Sequence, residues 1–279
     1  NEGRTAEIKA RVVINATGVW ADRLRSDVGG RPRMRPLRGS HLMFPAERIP
    51  ITRAVSFLHP ADGRPVMALP WEGVTMLGTT DIDHEHDLDQ EPSISSIESE
   101  YLMEAADFIF PDLQLEPGDV MSSFAGVRGV VDTGKADPSK ESREHVLWRE
   151  RGLLTITGGK LTTFRLMANA ALRAIRSQLP GRARFRSNGR VLNKTNESGL
   201  FDGLDPQIRQ RLTGRYGRQA LAVLDHAREG EMSPFASSSV LAAELRYTAA
   251  TGQVVHLDDL LLRRTRLGLL IPRGGCDRS

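Results

Sequence analysis

Thr157-Gly158-Gly159-Lys160-Leu161-Thr162-Thr163 decides how this chain is read. The four residues before it, Leu153-Leu154-Thr155-Ile156, form a short apolar run that predicts a buried strand. After it, Phe164, Met167, Ala168, Ala171, Leu172, Ile175 and Leu179 recur at the spacing of one helix face. Two glycines, a lysine and two threonines therefore sit where a strand turns into a helix. Glycine lets backbone approach a ligand closely. A helix N-terminus offers free N–H groups and the positive end of a dipole. Lys160 adds a full charge, so the turn suits a phosphate or another anionic group. A plain helix cap, with Thr162 or Thr163 as the capping residue, is the alternative. A nucleotide-hydrolase P-loop is excluded, because Leu154 stands where its first glycine belongs and Leu161 where its Ser or Thr belongs.

Outward from this turn, Arg11-Val12-Val13-Ile14-Asn15-Ala16-Thr17-Gly18 reads as a buried parallel strand ending at a glycine, with a short helix over 19–28. Residues 34–80 hold short apolar runs separated by Pro60, Asp62-Gly63 and Glu72-Gly73, the pattern of an antiparallel sheet. Ile94, Ile97, Tyr101, Ala105 and Phe108 predict one helix face between Ser93 and Phe110, stopped by Pro111. Asp119 to Val131 reads as strand again. Residues 206–271 read as helical, with Ile208, Leu212 and Tyr216 on one stripe, a second helix around Val240 to Thr248, and a third beginning at Leu257. Residues 181–205 read as a linker and 272–279 as a disordered tail.

The chain has 279 residues, enough for two domains, and 39% hydrophobic content, enough for cores. The opening Asn1 to Ile8 reads as a hairpin entered partway, so the sequence is expected to be a piece of a longer protein. The single cysteine, Cys276, excludes an internal disulfide and suits a reducing compartment. Net charge is +3 with a pI near 9.3, and arginines cluster at 31–38, 182–186 and 263–266. Aromatic content of 5% without a stacking motif argues against nucleic acid, and anionic small molecules or an anionic membrane surface fit better. Asp81-Ile82-Asp83-His84-Glu85-His86-Asp87 is rich in metal-ligand types, but His86 and Pro92 stand where a calcium loop needs Gly and Glu. We read it as a polar loop and expect no metal.

Six segments carry a resemblance. They are Asn15-Ala16-Thr17-Gly18-Val19-Trp20-Ala21, Gly39-Ser40-His41, Gly78-Thr79-Thr80-Asp81, Gly126-Val127-Arg128, Arg143, and Gly158-Gly159-Lys160-Leu161-Thr162-Thr163. In this order and spacing the chain resembles the FAD-dependent, aerobic-type glycerol-3-phosphate dehydrogenases of the D-amino-acid-oxidase-like flavoproteins. The likeness covers about residues 8–180 and resumes at Ala243 to Tyr247 and Leu257 to Arg266. It implies an α/β (α+β) fold: part of an FAD-binding Rossmann-like layer and an antiparallel substrate platform over about 33–131, both within residues 1–180, then a C-terminal helical domain over 206–271. The family's Gly-x-Gly-x-x-Gly loop is absent, so the chain resembles a C-terminal fragment, expected to be inactive alone.

The resemblance implies oxidation of sn-glycerol 3-phosphate to dihydroxyacetone phosphate, with a base taking the C2 hydroxyl proton and hydride passing from C2 to flavin N5. Thr17, Gly18 and Trp20, with Gly158, Gly159, Lys160, Leu161, Thr162 and Thr163, match segments that touch FAD. Arg128, Arg143 and Lys160 match basic substrate residues, Arg128 near the reacting carbon and the other two at the phosphate. A structural ion pair for Arg128 and a solvated arginine at 143 are the bland alternatives. His41 is the candidate base, or else a histidine satisfied at a sheet edge. A membrane quinone is the implied acceptor, with peripheral placement at the cytoplasmic face of an inner membrane and a homodimer as further expectations. Oxygen as acceptor, or an amino or hydroxy acid as substrate, are the rivals.

Overall fold

The computed structural model describes residues 5–180, 201 and 203–275. The arginine cluster at 182–186, most of the expected linker and Cys276 lie outside the described residues. In chain order the strands and helices begin with β1 (Val13–Asn15), α1 (Ala21–Asp27) and β2 (Met34–Pro45). β3 (Val55–Leu58), β4 (Pro65–Trp71), β5 (Val74–Gly78), β6 (Ile82–Asp83) and α2 (Ser96–Ile109) follow. Then come β7 (Ser122–Val131), β8 (His145–Glu150), β9 (Leu153–Gly158) and α3 (Phe164–Ala174). The last are α4 (Pro206–Tyr216), α5 (Ala220–His226), α6 (Ala242–Thr251) and α7 (Leu267–Leu270).

These elements fall into two compact units. The first draws on residues up to 39, 81–93 and 125–180, the second on 40–80, 94–124 and the described residues beyond 200.

In the first unit β9 is the middle strand of the order β1-β9-β8. It pairs parallel with β1, Val13 opposite Leu153, and antiparallel with β8, His145 opposite Gly158. Leu153 to Thr157 are all buried, as an apolar run between two neighbours requires. Leu154 and Ile156 pack under Ala171 and Ile175 at the foot of α3, each large side chain contributing roughly 1.5–3 kcal/mol. β1 differs from its sequence reading. It is parallel, but Val13 and Ile14 are 53% and 40% exposed and only Asn15 is buried. The reason is position: among the described residues β1 is an edge strand, paired on one side. β8 was not anticipated, because His145, Arg149 and Glu150 interrupt any apolar pattern. Its pairing with β9, not its own composition, makes it a strand.

The second unit contains the antiparallel platform expected over 34–80. β3, β4, β5 and the second half of β2 pair in sequence-adjacent hairpins and one return. The β4–β5 turn is Glu72-Gly73 with φ of +49° and +91°, the two-residue form whose twist matches the strands it joins. Leu42, Phe44, Val66, Ala68 and Leu77 make one core with Leu102, Met103, Ala105 and Ala106 of α2. α2 begins at a capping box, Ser95 accepting from Glu98 N–H and Glu98 from Ser95 N–H. Its buried face is rotated from the predicted one, since Ile97 and Phe108 are 76% and 56% exposed while Glu98 is buried. A carboxylate inside the helix's packed face is what the apolar stripe did not foresee. The strand expected from Asp119 begins at Ser122, after a short turn over Pro117–Asp119.

In the helical part Leu212 is fully buried, with Ile208 and Tyr216 packed around it as the stripe predicts. α5 was not anticipated. The third expected helix is a single wide π turn over Asp259–Arg264, ended by Arg266 at φ +59° before α7. Of the expected tail, Pro272–Gly275 form a short turn, and 276–279 lie outside the described residues.

Candidate active site

Both glycine turns belong to the first unit. Asn15, 1% exposed, builds the one after β1. Its Nδ2 donates to Ala21 O at 2.9 Å and to Thr155 Oγ1 at 3.3 Å, tying β1 to β9 and to the start of α1. Its Oδ1 accepts from Thr17 N–H at 3.3 Å and from the Thr17 hydroxyl at 2.7 Å. A short amide side chain is what can fold back on its own turn in this way. Gly18 follows at φ +62°, with open space where a Cβ would stand.

The turn after β9 is more tightly constrained. Gly158 and Gly159 lie at φ +72° and +74°. A Cβ on Gly158 would meet the backbone oxygen of Glu144 at 2.5 Å, which cannot yield, whereas on Gly159 it would meet the movable Met167 Sδ at 2.4 Å. Leu161–Thr163 then form one 3₁₀ turn before α3. Thr163 Oγ1 accepts from Lys160 N–H at 3.0 Å and donates to Lys160 O at 2.8 Å, so the hydroxyl closes the turn on itself. Lys160, Leu161 and Thr162 are exposed.

Gly18 and Gly158 open onto one cavity of about 480 Å³, floored by Ile14, Ile156, Phe164 and Met167. Gly129 also lines it, at a place where a Cβ would stand 2.9 Å from Val19 Cα. The structure thus brings two of the expected cofactor residues together over an apolar floor. Thr17 and Trp20 line a separate hollow of about 380 Å³ with Arg23, Leu24 and Asp89.

Arg128 and Arg143 also meet. Arg128 Nη2 donates to Asp81 Oδ1 at 2.7 Å, and Arg143 Nη2 to Asp81 Oδ2 at 3.0 Å. Asp81 is 8% exposed, while the arginine side chains are 37% and 47% exposed. Burial lowers the Arg128 pKa below the ordinary guanidinium value; Asp81 opposes the shift and Arg143 adds to it. Asp81 thus bridges two guanidinium groups. Lys160 is exposed at its turn and takes no part in this ion-paired group. Asp81 ends the Gly78-Thr79-Thr80-Asp81 segment and begins the Asp81–Asp87 run read as a polar loop, and neither reading gave it this role. Its partners lie 47 and 62 positions away.

His41 belongs to the second unit, on β2 opposite Gly78. Its ring stacks on Phe124, centroids 4.6 Å apart and planes 6° from parallel. A Cβ at Gly78 would strike its Cδ2 at 2.3 Å, which explains the glycine there. Beside it Glu98, 2% exposed, accepts from the Ser40 hydroxyl at 2.8 Å and the Thr80 hydroxyl at 2.7 Å. Ser40 N–H donates to Thr80 Oγ1 at 2.9 Å. Glu98 was missed as the residue that joins these two motif segments; the Ser95-x-x-Glu98 capping signature was its only local signal. In the first unit His84, buried, meets His86 edge-on at 5.7 Å.

Residues 1–165 match the family model described as FAD dependent oxidoreductase, and residues 154–277 match the C-terminal domain of alpha-glycerophosphate oxidase. The chain belongs to the FAD-dependent oxidoreductase family, and its α/β fold is that family's FAD-binding fold. It is 31% identical over 292 residues to glycerol-3-phosphate dehydrogenase 2 of Mycobacterium tuberculosis, covering 99% of this chain and 49% of that protein. It is 30% identical over 289 residues to the aerobic glycerol-3-phosphate dehydrogenase of Staphylococcus haemolyticus, covering 94% and 51%. The glycerol-3-phosphate dehydrogenase of Bacillus halodurans, solved complexed with FAD, superposes with a TM-score of 0.75 at 28% identity, over 94% of this chain and 54% of that one. The chain spans about half the length of the curated relatives it matches.

Proposed function

We propose that this chain supplies substrate and flavin contacts of an FAD-dependent glycerol-3-phosphate dehydrogenase. The observation that carries the reading is Asp81 shared by two arginines. Two guanidinium groups on one carboxylate gather cationic donors of the kind a phosphate dianion needs, and Lys160 is the third cation of this reading. The names of the relatives supply the same substrate. The glycine cavity fits an aromatic cofactor edge: backbone at Gly18 and Gly158 flanks an apolar floor with no side chain in the way. FAD, when bound, supplies the two-electron acceptor for the C2 hydride.

In this reading Arg143 and Lys160 hold the phosphate, and Arg128 orients the oxygen at C2. His41, held flat by Phe124, takes the hydroxyl proton. Electrons leave to a membrane quinone, with the protein docked at the cytoplasmic face of an inner membrane. Among the described residues no helix is long and apolar enough to cross a membrane.

The test is anaerobic bleaching of the FAD bound by the full-length protein, since this chain is expected to be inactive alone. Glycerol 3-phosphate bleaches the visible band, and glycine and 2-hydroxyglutarate do not. Phenazine methosulfate is then reduced without peroxide release in air. Bleaching by glycine, or unchanged bleaching in the Arg128→Ala protein, overturns the assignment.

A further inference from the structure

The largest cavity among those described, about 910 Å³, lies in the second unit and belongs to neither glycine turn. Arg211 and Arg215 of α4 line it with Arg266, Glu72 and Ser239. The donors there are unequally used. Arg211 spends its fork on Glu244, with Nε 2.6 Å from Oε2, and reaches Ser239 Oγ at 2.9 Å. Arg215 bonds Glu72 and the carbonyls of Arg264 and Thr265. Glu244, fully buried, is saturated by Arg211, Tyr216 and the Leu241 N–H. Glu72 receives all three arginines.

Arg266 is different. Among the described residues its one hydrogen bond is Nη2 to Glu72 Oε1 at 2.6 Å, and its Nε has no acceptor. Its guanidinium lies over the Trp71 ring at 5.0 Å and its side chain is 40% exposed. Three guanidinium groups thus face two carboxylates, both fully engaged, and most of one fork is unspent. Asp205 stands exposed at the mouth, its Oδ1 capping α4 through Gln207 and Ile208 N–H. Its charge is in water, where screening weakens its hold on the interior. Ile208, Pro234 and Leu241 give the wall its apolar part, beside Gln207 and Gln210. A volume within the range of small-molecule sites, a partly apolar wall and a half-exposed arginine with one hydrogen bond together describe a ligand pocket.

We propose that this cavity binds a small organic anion, its acidic head on Arg266 and its apolar body against Ile208, Pro234 and Leu241. The site is separate in residues from the phosphate site assigned to Arg128, Arg143 and Lys160, and it stands or falls independently of that assignment. The head is a phosphate or a carboxylate, and the probes separate the two: phenyl phosphate, benzoate and inorganic phosphate, titrated calorimetrically into the purified chain.

Phenyl phosphate or benzoate binds saturably, at least tenfold more tightly than inorganic phosphate, because only the aromatic probes use the apolar wall. Arg266→Ala weakens that binding at least tenfold, and Arg143→Ala changes it less than twofold. Gly214→Trp provides a control that touches no charge. Gly214 lines the cavity from a helical position with open space at its Cβ, so a large side chain there fills the pocket without straining the fold. Its circular dichroism stays native while the tighter-binding aromatic probe is lost. The inference is overturned if neither aromatic probe saturates, if the binding survives Gly214→Trp, or if it disappears with Arg143→Ala instead.

Discussion

Two arginines of the same unit, Arg25 and Arg128, are held by carboxylates in opposite ratios. Arg25 is fully buried and serves two acids. Its Nε and Nη2 reach Glu150 at 2.8 and 2.9 Å, and its Nη1 pairs with Asp22. It also stacks on Trp148, 4.2 Å from the ring centre. Its hydrogen bonds to Glu150 raise its pKa, against burial and with help from Asp22. Arg128 shares a single acid with Arg143, and burial lowers its pKa. The first arrangement is closed, since every donor set has its acceptor and nothing invites a ligand. The second sets two cations on one carboxylate. Burial and ion pairing alone do not mark a functional arginine; the local ratio of cations to acids does.

Substitutions separate the two arrangements. Arg25→Ala has the largest effect, because it leaves Glu150 and Asp22 without their cation. A loss of about 3 kcal/mol is expected in urea denaturation, at the low end for broken buried pairs because both carboxylates reach solvent. Phosphate affinity in that variant should be unchanged; if it falls more than in Arg128→Ala, the contrast is wrong. Asp81→Asn comes next. It sets two like charges facing each other and should cost about 1 kcal/mol at low salt. Added phosphate should restore the melting temperature by taking the vacated place, and no restoration would contradict the open arrangement.

Arg128→Ala should cost less than about 1 kcal/mol, since the arginine side chain is over one-third exposed and Asp81 keeps Arg143. Its signature is weakened glycerol 3-phosphate binding by titration, without a matching loss of stability. The smallest effect comes from a one-to-one pair in the second unit. Arg246, with Nε 2.7 Å from Glu231 Oε2, holds that carboxyl down at about 2 from its ordinary 4.5. A lowered folded pKa gives stability that is present above the ordinary value and is lost as pH falls toward the folded one. Glu231→Gln should therefore lower the urea midpoint slightly at neutral pH and flatten its decline between those two values, so that variant and parent converge at acid pH.

How much of this was legible depended on the distance over which each cause acts. The β4–β5 turn and the strand before Gly158 were readable because Glu72-Gly73 and Leu153 to Ile156 act within a few residues. The burial of β1 was misread because an edge strand and a central one share the same apolar letters; only the absence of a second neighbour among the described residues tells them apart. β8 was missed for the converse reason, being a strand by pairing and not by composition. At the site, Arg128 and Arg143 were found through a family pattern. Asp81, which brings them together, has no local signature, because a salt bridge across 47 or 62 positions leaves no periodic trace. Glu98 was hidden by its type, as a carboxylate in a helix is ordinarily assigned to water.

The turn at Gly158 and Gly159 has a practical corollary for anyone diversifying this protein. One of the two is locked by an immovable carbonyl and both by their left-handed backbone. A mutagenesis library spanning the loop would waste most of its members at these two codons. The useful variation is confined to Lys160, Leu161 and Thr162, whose side chains stand in solvent and can be exchanged without disturbing the strand that delivers them.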